Sequence, residues 1–451
     1  FFSQITYAQC DYITLTTQEE VDNFDSSCTF IDGDLVIGGN GEPSDITNLN
    51  ALSGVTEITG ALIIENNGLL TNLQGLSSLE LVRQHLSIIA NSALENLDGL
   101  SVNAIALETG DLLIEGNPAL TNIDGLLPLW AIESDFGPFI TETDIIIFGN
   151  ESLLNLDGLM NLSIFRGTIF ILENESLNSI QGLATICSSL GAIGAPLAAL
   201  DIAFNPSLTS LQGLENLKSV TDPIFIRDNI GLTDLNGLSG LETVEGLLAI
   251  VNNENLSNID GLFNISSIQG DLHIEDNPQL SDCCILPCFL EHVEGEIIIE
   301  LNGDGCSSLE EIQDSCPAGG GCDNGFITAF TYYDTNENGI YDGTDYPLLE
   351  NIVGISPSSL QTFSGEEGEN IYLVTGGTYE LSVSNNLWTP TTASSYTVET
   401  SETIEDQYSF GVVPVTDVVL LGSDMSSAPT RCGFDVNFWL TYENDGTIPT
   451  Q

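Results

Sequence analysis

From Asp34 to about Asn302 the apolar positions follow a seven-residue unit that keeps returning. It reads DLVIGGN from Asp34, ALIIENN from Ala61, HLSIIAN from His85, DLLIEGN from Asp111, DIIIFGN from Asp144 and TIFILEN from Thr168. It goes on as ALDIAFN from Ala199, PIFIRDN from Pro223, LLAIVNN from Leu247, DLHIEDN from Asp271 and EIIIELN from Glu296. The second slot is Leu or Ile, the fourth is Ile and the seventh is Asn in every copy. Side chains of an extended chain alternate between two faces, so slots two and four predict a strand with one buried edge. A second signature, Leu-x-x-(Leu/Ile)-x-Gly-Leu, lies between strands and puts glycine at 75, 99, 125, 158, 182, 213, 237 and 261. The basic step is 24 residues, and steps of 33 and 31 mark insertions at about 127–143 and 184–196.

One short strand per step cannot bury its apolar edge alone, whereas stacked coils share a continuous core. The expectation is a mainly β chain whose first two thirds form a parallel β solenoid. Asn at the strand's end suits a side-chain amide that pairs the backbone of adjacent coils at the bend. The repeated Gly is expected to supply a turn conformation that a Cβ disfavours. Asn-x-Ser recurs at Asn150, Asn161, Asn174, Asn255 and Asn264. Because Asn150 and Asn174 fall in the seventh slot and are expected to be buried, these glycan-acceptor matches read as by-products of the repeat.

After Asn302 the pattern stops, and from Phe326 a strand-like alternation begins with FITAFTYY. DTNENGIYDGTD follows directly, residues 334–345. Asp334, Asn336 and Asn338 stand at positions one, three and five of a twelve-residue calcium loop, with Gly339 at the sharp turn. Ile340 offers a carbonyl, and Asp342 and Asp345 fall at positions nine and twelve. Hard oxygen donors at this spacing predict Ca2+; the alternative is an Asp/Asn-rich turn without an ion. The β-forming flanks differ from the helices of an EF-hand. The last segment, with TDVVLLGSD and CGFDVNFWLTYENDGT, reads as the start of a further β unit with too few strands to close a core, hence as a fragment.

Charge narrows the function. Five basic against 66 acidic side chains give a net charge of -61, which excludes the basic groove that nucleic acid requires and disfavours an anionic membrane. No apolar run approaches the roughly 18 residues of a membrane span. Ten cysteines, crowded between Cys283 and Cys322, favour disulfides and an oxidising compartment over a zinc site. Cys283, Cys284, Cys288, Cys306 and Cys316 bracket the last strand and predict a disulfide cap whose pairing the spacing leaves open. Three histidines and the absence of serine-elbow, phosphate-loop or zincin motifs argue against an enzyme.

The repeats and the opening CDYITLTTQEEVDNFDSSCTFIDGDLVIGGN resemble the receptor L domain, a leucine-rich repeat module of right-handed β-helical form found in insulin and epidermal growth factor receptors. That resemblance implies a disulfide between Cys10 and Cys28 in an N-terminal cap. Eleven strands exceed a single L domain, so receptor-like ligand binding is not implied. The calcium loop with its Pro-Leu-x-x-(Ile/Val)-x-Gly-Ile run is similar to the calcium-binding B repeats of Sdr-type adhesins, in which the ion stiffens a β-sandwich. The combination resembles secreted surface proteins of Bacteroidota. The expected organisation is a signal-peptide remnant (1–9), a cap (10–33), the solenoid (34–302), a disulfide-rich cap and linker (303–324), a calcium-binding β-sandwich (325–413) and a truncated sandwich (414–451).

Outward slots three and five gather Ile146, Phe148, Phe170, Leu172 and Phe225 on one face, the candidate binding face. Two alternatives stand: an open surface for an extracellular protein or glycan, or a face covered by the insertions, the first of which carries Trp130, Phe136 and Phe139. The leading expectation is a non-enzymatic, secreted or cell-surface recognition or adhesion protein. A ligand-free spacer and the accessory region of a secreted hydrolase are the alternatives.

Overall fold

The computed structural model describes residues 9–39, 41–100, 105–107, 110–132, 143–165, 167–193, 196–316, 325–343, 345–348, 353–356, 361–364, 369–374, 377–383, 388–400, 407–415, 421–427 and 438–444. Two compact units result, Phe1–Ser315 and Cys316–Gln451.

In the first unit the predicted strands form one parallel sheet, ordered by coil from Phe30–Gly38 through Leu62–Glu65, Leu86–Ile89, Leu112–Glu115, Asp144–Phe148 and Thr168–Leu172. It continues through Leu200–Ala203, Ile224–Arg227, Leu248–Val251 and Leu272–Glu275 to Ile297–Glu300. Registers align slot with slot, so Leu35, Leu62, Leu86 and Leu112 stack, as do Ile145, Ile169 and Leu200. Second and fourth slots are buried almost throughout, which makes the core a continuous column of Leu and Ile. Gln9–Leu15 adds a parallel strand beside Phe30–Gly38 at the N-terminal cap.

A second, shorter parallel ladder runs along the coils. It comprises Ile31, Ile58 and Val82, then Ile105–Leu107 with Leu129–Ile132, then Ser219–Val220, Thr243–Val244 and Ser267–Ile268. Most x-Gly-Leu ends of the inter-strand signature are short 3-10 turns, such as Asp157–Leu159 and Asp260–Leu262, each with its Leu buried. The described part of the first insertion, Leu129–Ile132, joins the second ladder. The second insertion forms the helix Ala184–Ile193, with Ile186, Cys187 and Leu190 buried.

Glycine's role differs from the expectation. Most signature glycines have no left-handed backbone; Gly99 and Gly213 do. The need at the others is closeness: a Cβ on Gly158 would lie 1.9 Å from the Ile123 carbonyl oxygen, and one on Gly75 equally near that of Leu49. The left-handed position is instead the sixth slot, held by Asn66, Ala90, Glu173, Phe204, Asp228, Asn252, Asp276 and Leu301 at φ between 54° and 59°. Adjacent-coil hydrogen bonds outweigh the local preference that would favour glycine there.

In the second unit one sheet runs Gln361–Ser364, Glu369–Val374, Gly325–Tyr333, Gln407–Pro414, Trp388–Pro390, and another runs Val353–Ser356, Gly377–Val383, Ser395–Thr400. Ile327, Ala329 and Phe410 from the first pack with Val353, Tyr379, Leu381 and Val398 from the second, the core of a two-sheet sandwich. Leu421–Ser427 and Phe438–Asn444 form an antiparallel pair. The expected signal remnant, the Gly-rich linker at 317–324, and Phe136 and Phe139 lie outside the described residues, apart from Gln9 at the head of the first strand.

Candidate binding face and candidate cation loop

The seventh-slot asparagines carry the bend after each strand. Asn174 is fully buried; its Nδ2 donates to the Ile147 carbonyl of the preceding coil at 2.9 Å and its Oδ1 accepts the Asn150 N–H at 3.1 Å. The same pattern links Asn67, Asn91, Asn117, Asn205, Asn229, Asn253, Asn277 and Asn302. Asn150 and Asn174 are therefore closed to glycosylation, whereas Asn161, Asn255 and Asn264 are exposed. Aspartates in the first slot close the other end of the strand: Asp111 Oδ1 accepts the Asp144 N–H at 2.8 Å and Asp271 Oδ1 that of Glu296 at 2.7 Å.

Strand register brings the five candidate face residues together. Ile146 faces Phe170 and Phe148 faces Leu172 on adjacent strands, while Phe170 and Phe225 flank Asp201. All five are partly exposed. Outward position does not guarantee exposure, however. Asp201 is only 9% exposed, and Ala203 and Ala249 are buried, because small side chains between larger ones on strands about 4.8 Å apart lie in a trough. Asp201 Oδ2 accepts from Arg227 Nη2 at 3.0 Å, and Asp201 Oδ1 is buried without a hydrogen-bond partner. The Arg227 guanidinium lies over the rings of Phe204 and Phe225, at 5.4 and 5.8 Å. Sequence reading missed Asp201, Phe204 and Arg227; the available signal was an arginine in a strand slot of a chain with five basic groups.

The loop 334–345 turns at a left-handed Gly339, at φ 72°. Buried Asp334 accepts the N–H groups of Asn338 at 3.1 Å and Gly339 at 2.7 Å. Nδ2 of Asn336 and of Asn338 each donate to Asp342 Oδ2 at 3.0 Å. The Asp345 carboxylate accepts the N–H groups of Thr335 and Asp342, both at 2.9 Å, tying the ends of the loop together. Ile340 donates its N–H to Asn338 Oδ1, and its side chain is exposed. No three His, Cys, Asp or Glu side chains converge among the described residues; the convergent set here mixes Asp with two Asn. Tyr341 packs edge-on against Phe330 and Tyr332, and burial, with the loop aspartates behind it, pushes the Tyr332 hydroxyl up to about 12.

Cys10 pairs with Cys28 at one end of the solenoid and Cys283 with Cys306 at the other. Cys284, Cys288 and Cys316 are disulfide-bonded as well. Cys187 is a buried free thiol, pushed up to about 12 by burial and then by Glu215. The histidines lie beside carboxylates: His85 near Asp111, His273 near Glu275 and His292 near Glu291. No helix among the described residues is long and apolar enough to cross a membrane.

No curated protein matches the chain. Residues 27–127, which contain the first four coils of the solenoid, match the Receptor L domain family.

Proposed function

We propose that this chain is a non-enzymatic, secreted or cell-surface recognition protein that binds an extracellular protein or glycan through the outward face of its solenoid. The observation that carries the reading is the partly exposed apolar cluster of Ile146, Phe148, Phe170, Leu172 and Phe225, held in register by a rigid ladder. Contiguous apolar surface of this kind is where proteins meet partners. The Receptor L domain match at 27–127 supports a ligand-binding, extracellular setting, as do the disulfides. Adhesion is the biological role this reading favours. Replacing Phe148 and Phe170 by Ser tests it: attachment to cells is lost while the unfolding midpoint holds. A fall in the midpoint instead would mean a covered face and a spacer.

In the second unit, the loop 334–345 is proposed to hold Ca2+ that stiffens the sandwich. The support is the sequence: Asp334, Asn336, Asn338, Asp342 and Asp345 offer hard oxygen donors at calcium-loop spacing, with no Lys or Arg in the loop. Ile340 would add its carbonyl. The likeness of this region to Sdr-type B repeats supports the same role. Calcium titration of stability, with Asp334→Ala as control, tests it.

A further inference from the structure

The charge pattern around the apolar cluster narrows the partner. Along the fifth slot, strand register runs Glu115, Phe148, Leu172, Ala203, Arg227, Val251, Glu275. Six strand spacings of about 4.8 Å separate the two glutamates, roughly 29 Å, which is protein-sized. Thus an apolar stretch is framed at both ends by carboxylates. Within slots three and five of the strands between them, the one polar feature is the Asp201–Arg227 pair, whose Asp201 Oδ1 is buried and unpaired.

Resting on the reading of this face as a binding surface, we infer that it takes a protein partner that is apolar at its centre and basic at its two ends, with a hydrogen-bond donor opposite Asp201. Aliphatic side chains such as Ile146, Leu172 and Val251 pack against apolar side chains, whereas a glycan's hydroxyls need several directional partners and would find one pair in this stretch. A second copy of the chain is disfavoured by charge: each carries -61, and a two-fold arrangement would set Glu115 against Glu275. Basic groups at the partner's ends meet carboxylates, and a donor at its centre relieves the unpaired oxygen once the Asp201 side chain rotates toward it.

The test uses the full chain and four probes: a synthetic amphipathic helix of Leu and Lys, its Leu and Glu counterpart, cellohexaose and chitohexaose. The Leu/Lys helix is expected to bind and the Leu/Glu helix not to. Phe170→Ser should weaken binding about tenfold, the size of a hot-spot truncation. The double variant Glu115→Gln/Glu275→Gln, which changes only surface charge, should flatten its salt dependence. Failure of the Leu/Lys helix to bind, or binding indifferent to both variants, overturns the inference. Hexaose binding lost in Asp201→Asn or Phe170→Ser overturns it too, while leaving the face a binding surface. If Phe170→Ser lowers the unfolding midpoint and no probe binds, both the inference and the reading beneath it fall.

Discussion

From Asn91 to Asn277 the seventh-slot asparagines are fully buried and each makes three or more hydrogen bonds to backbone or amide groups, which makes them costly to remove. Asn174→Ala deletes the bonds to Ile147, Leu172 and Asn150 and leaves buried groups unpaired, an expected loss on the order of 3 kcal/mol in urea unfolding. Asn161→Ala, at an exposed sequon, should change little. Gly158→Ala is expected to cost on the order of 1–3 kcal/mol, because its Cβ has no room beside the Ile123 carbonyl and the coils must part. Asp260 sets a pH dependence. Burial, and then the charge of Asp282, push its carboxyl up to about 7, above the ordinary value of about 4. The folded state therefore holds this proton more tightly than the unfolded chain, so the contribution of Asp260 to stability is fullest below about pH 4 and is lost as pH rises through about 7. Asp260→Asn should match the wild type at low pH and exceed it near pH 8, read from urea midpoints at both.

At the scale of the element, a coil is stable only against its neighbours, so inward slots were legible from periodicity alone. The outward slots were not. Periodicity named Phe170 and Phe225 as outward, yet it could not tell that Asp201 between them is almost covered while they remain partly exposed. Side-chain size on neighbouring strands decides that, and the neighbours are 24 or more residues away. Phe148→Ser with Phe170→Ser is expected to shift the thermal midpoint little and abolish attachment, since both side chains are already partly hydrated. In the loop 334–345, spacing named the candidate side chains, and the fold sets Asn336 and Asn338 beside Asp342. The hydrogen bonds from Asn336 and Asn338 amides to Asp342 depend on rotamers and on whether an ion is bound.

For the whole molecule, two compact units predict two unfolding transitions that respond to different agents. Calcium at about 100 times its Kd should stabilise the second unit by about 2.7 kcal/mol and leave the first in place; Asp334→Ala should erase that shift. Reduction should destabilise the first unit, which holds the Cys10–Cys28 and Cys283–Cys306 bridges. The Cys10–Cys28 bridge closes 18 residues, for which loop entropy suggests about 3 kcal/mol, checked by calorimetry with and without a thiol reductant. Both bridges stand at solenoid ends, where a coil lacks a neighbour on one side.

Repetition made the architecture readable before any coordinates. A pattern that returns eleven times in Leu, Ile and Asn leaves a stacked parallel sheet as the arrangement that buries every copy, and one chemistry repeated at one spacing needs no long-range information. The Cys10–Cys28 bridge was legible only through the resemblance to the receptor L domain, and the spacing left the Cys283–Cys306 pairing open. What required the folded chain was everything set between coils: the carbonyl pressed against each signature glycine, the left-handed sixth slot, and the Asp201–Arg227 pair with its guanidinium over the phenylalanine rings. Those features arise from atoms of different coils meeting within a few ångströms, and no local window of the sequence contains both sides of such a meeting.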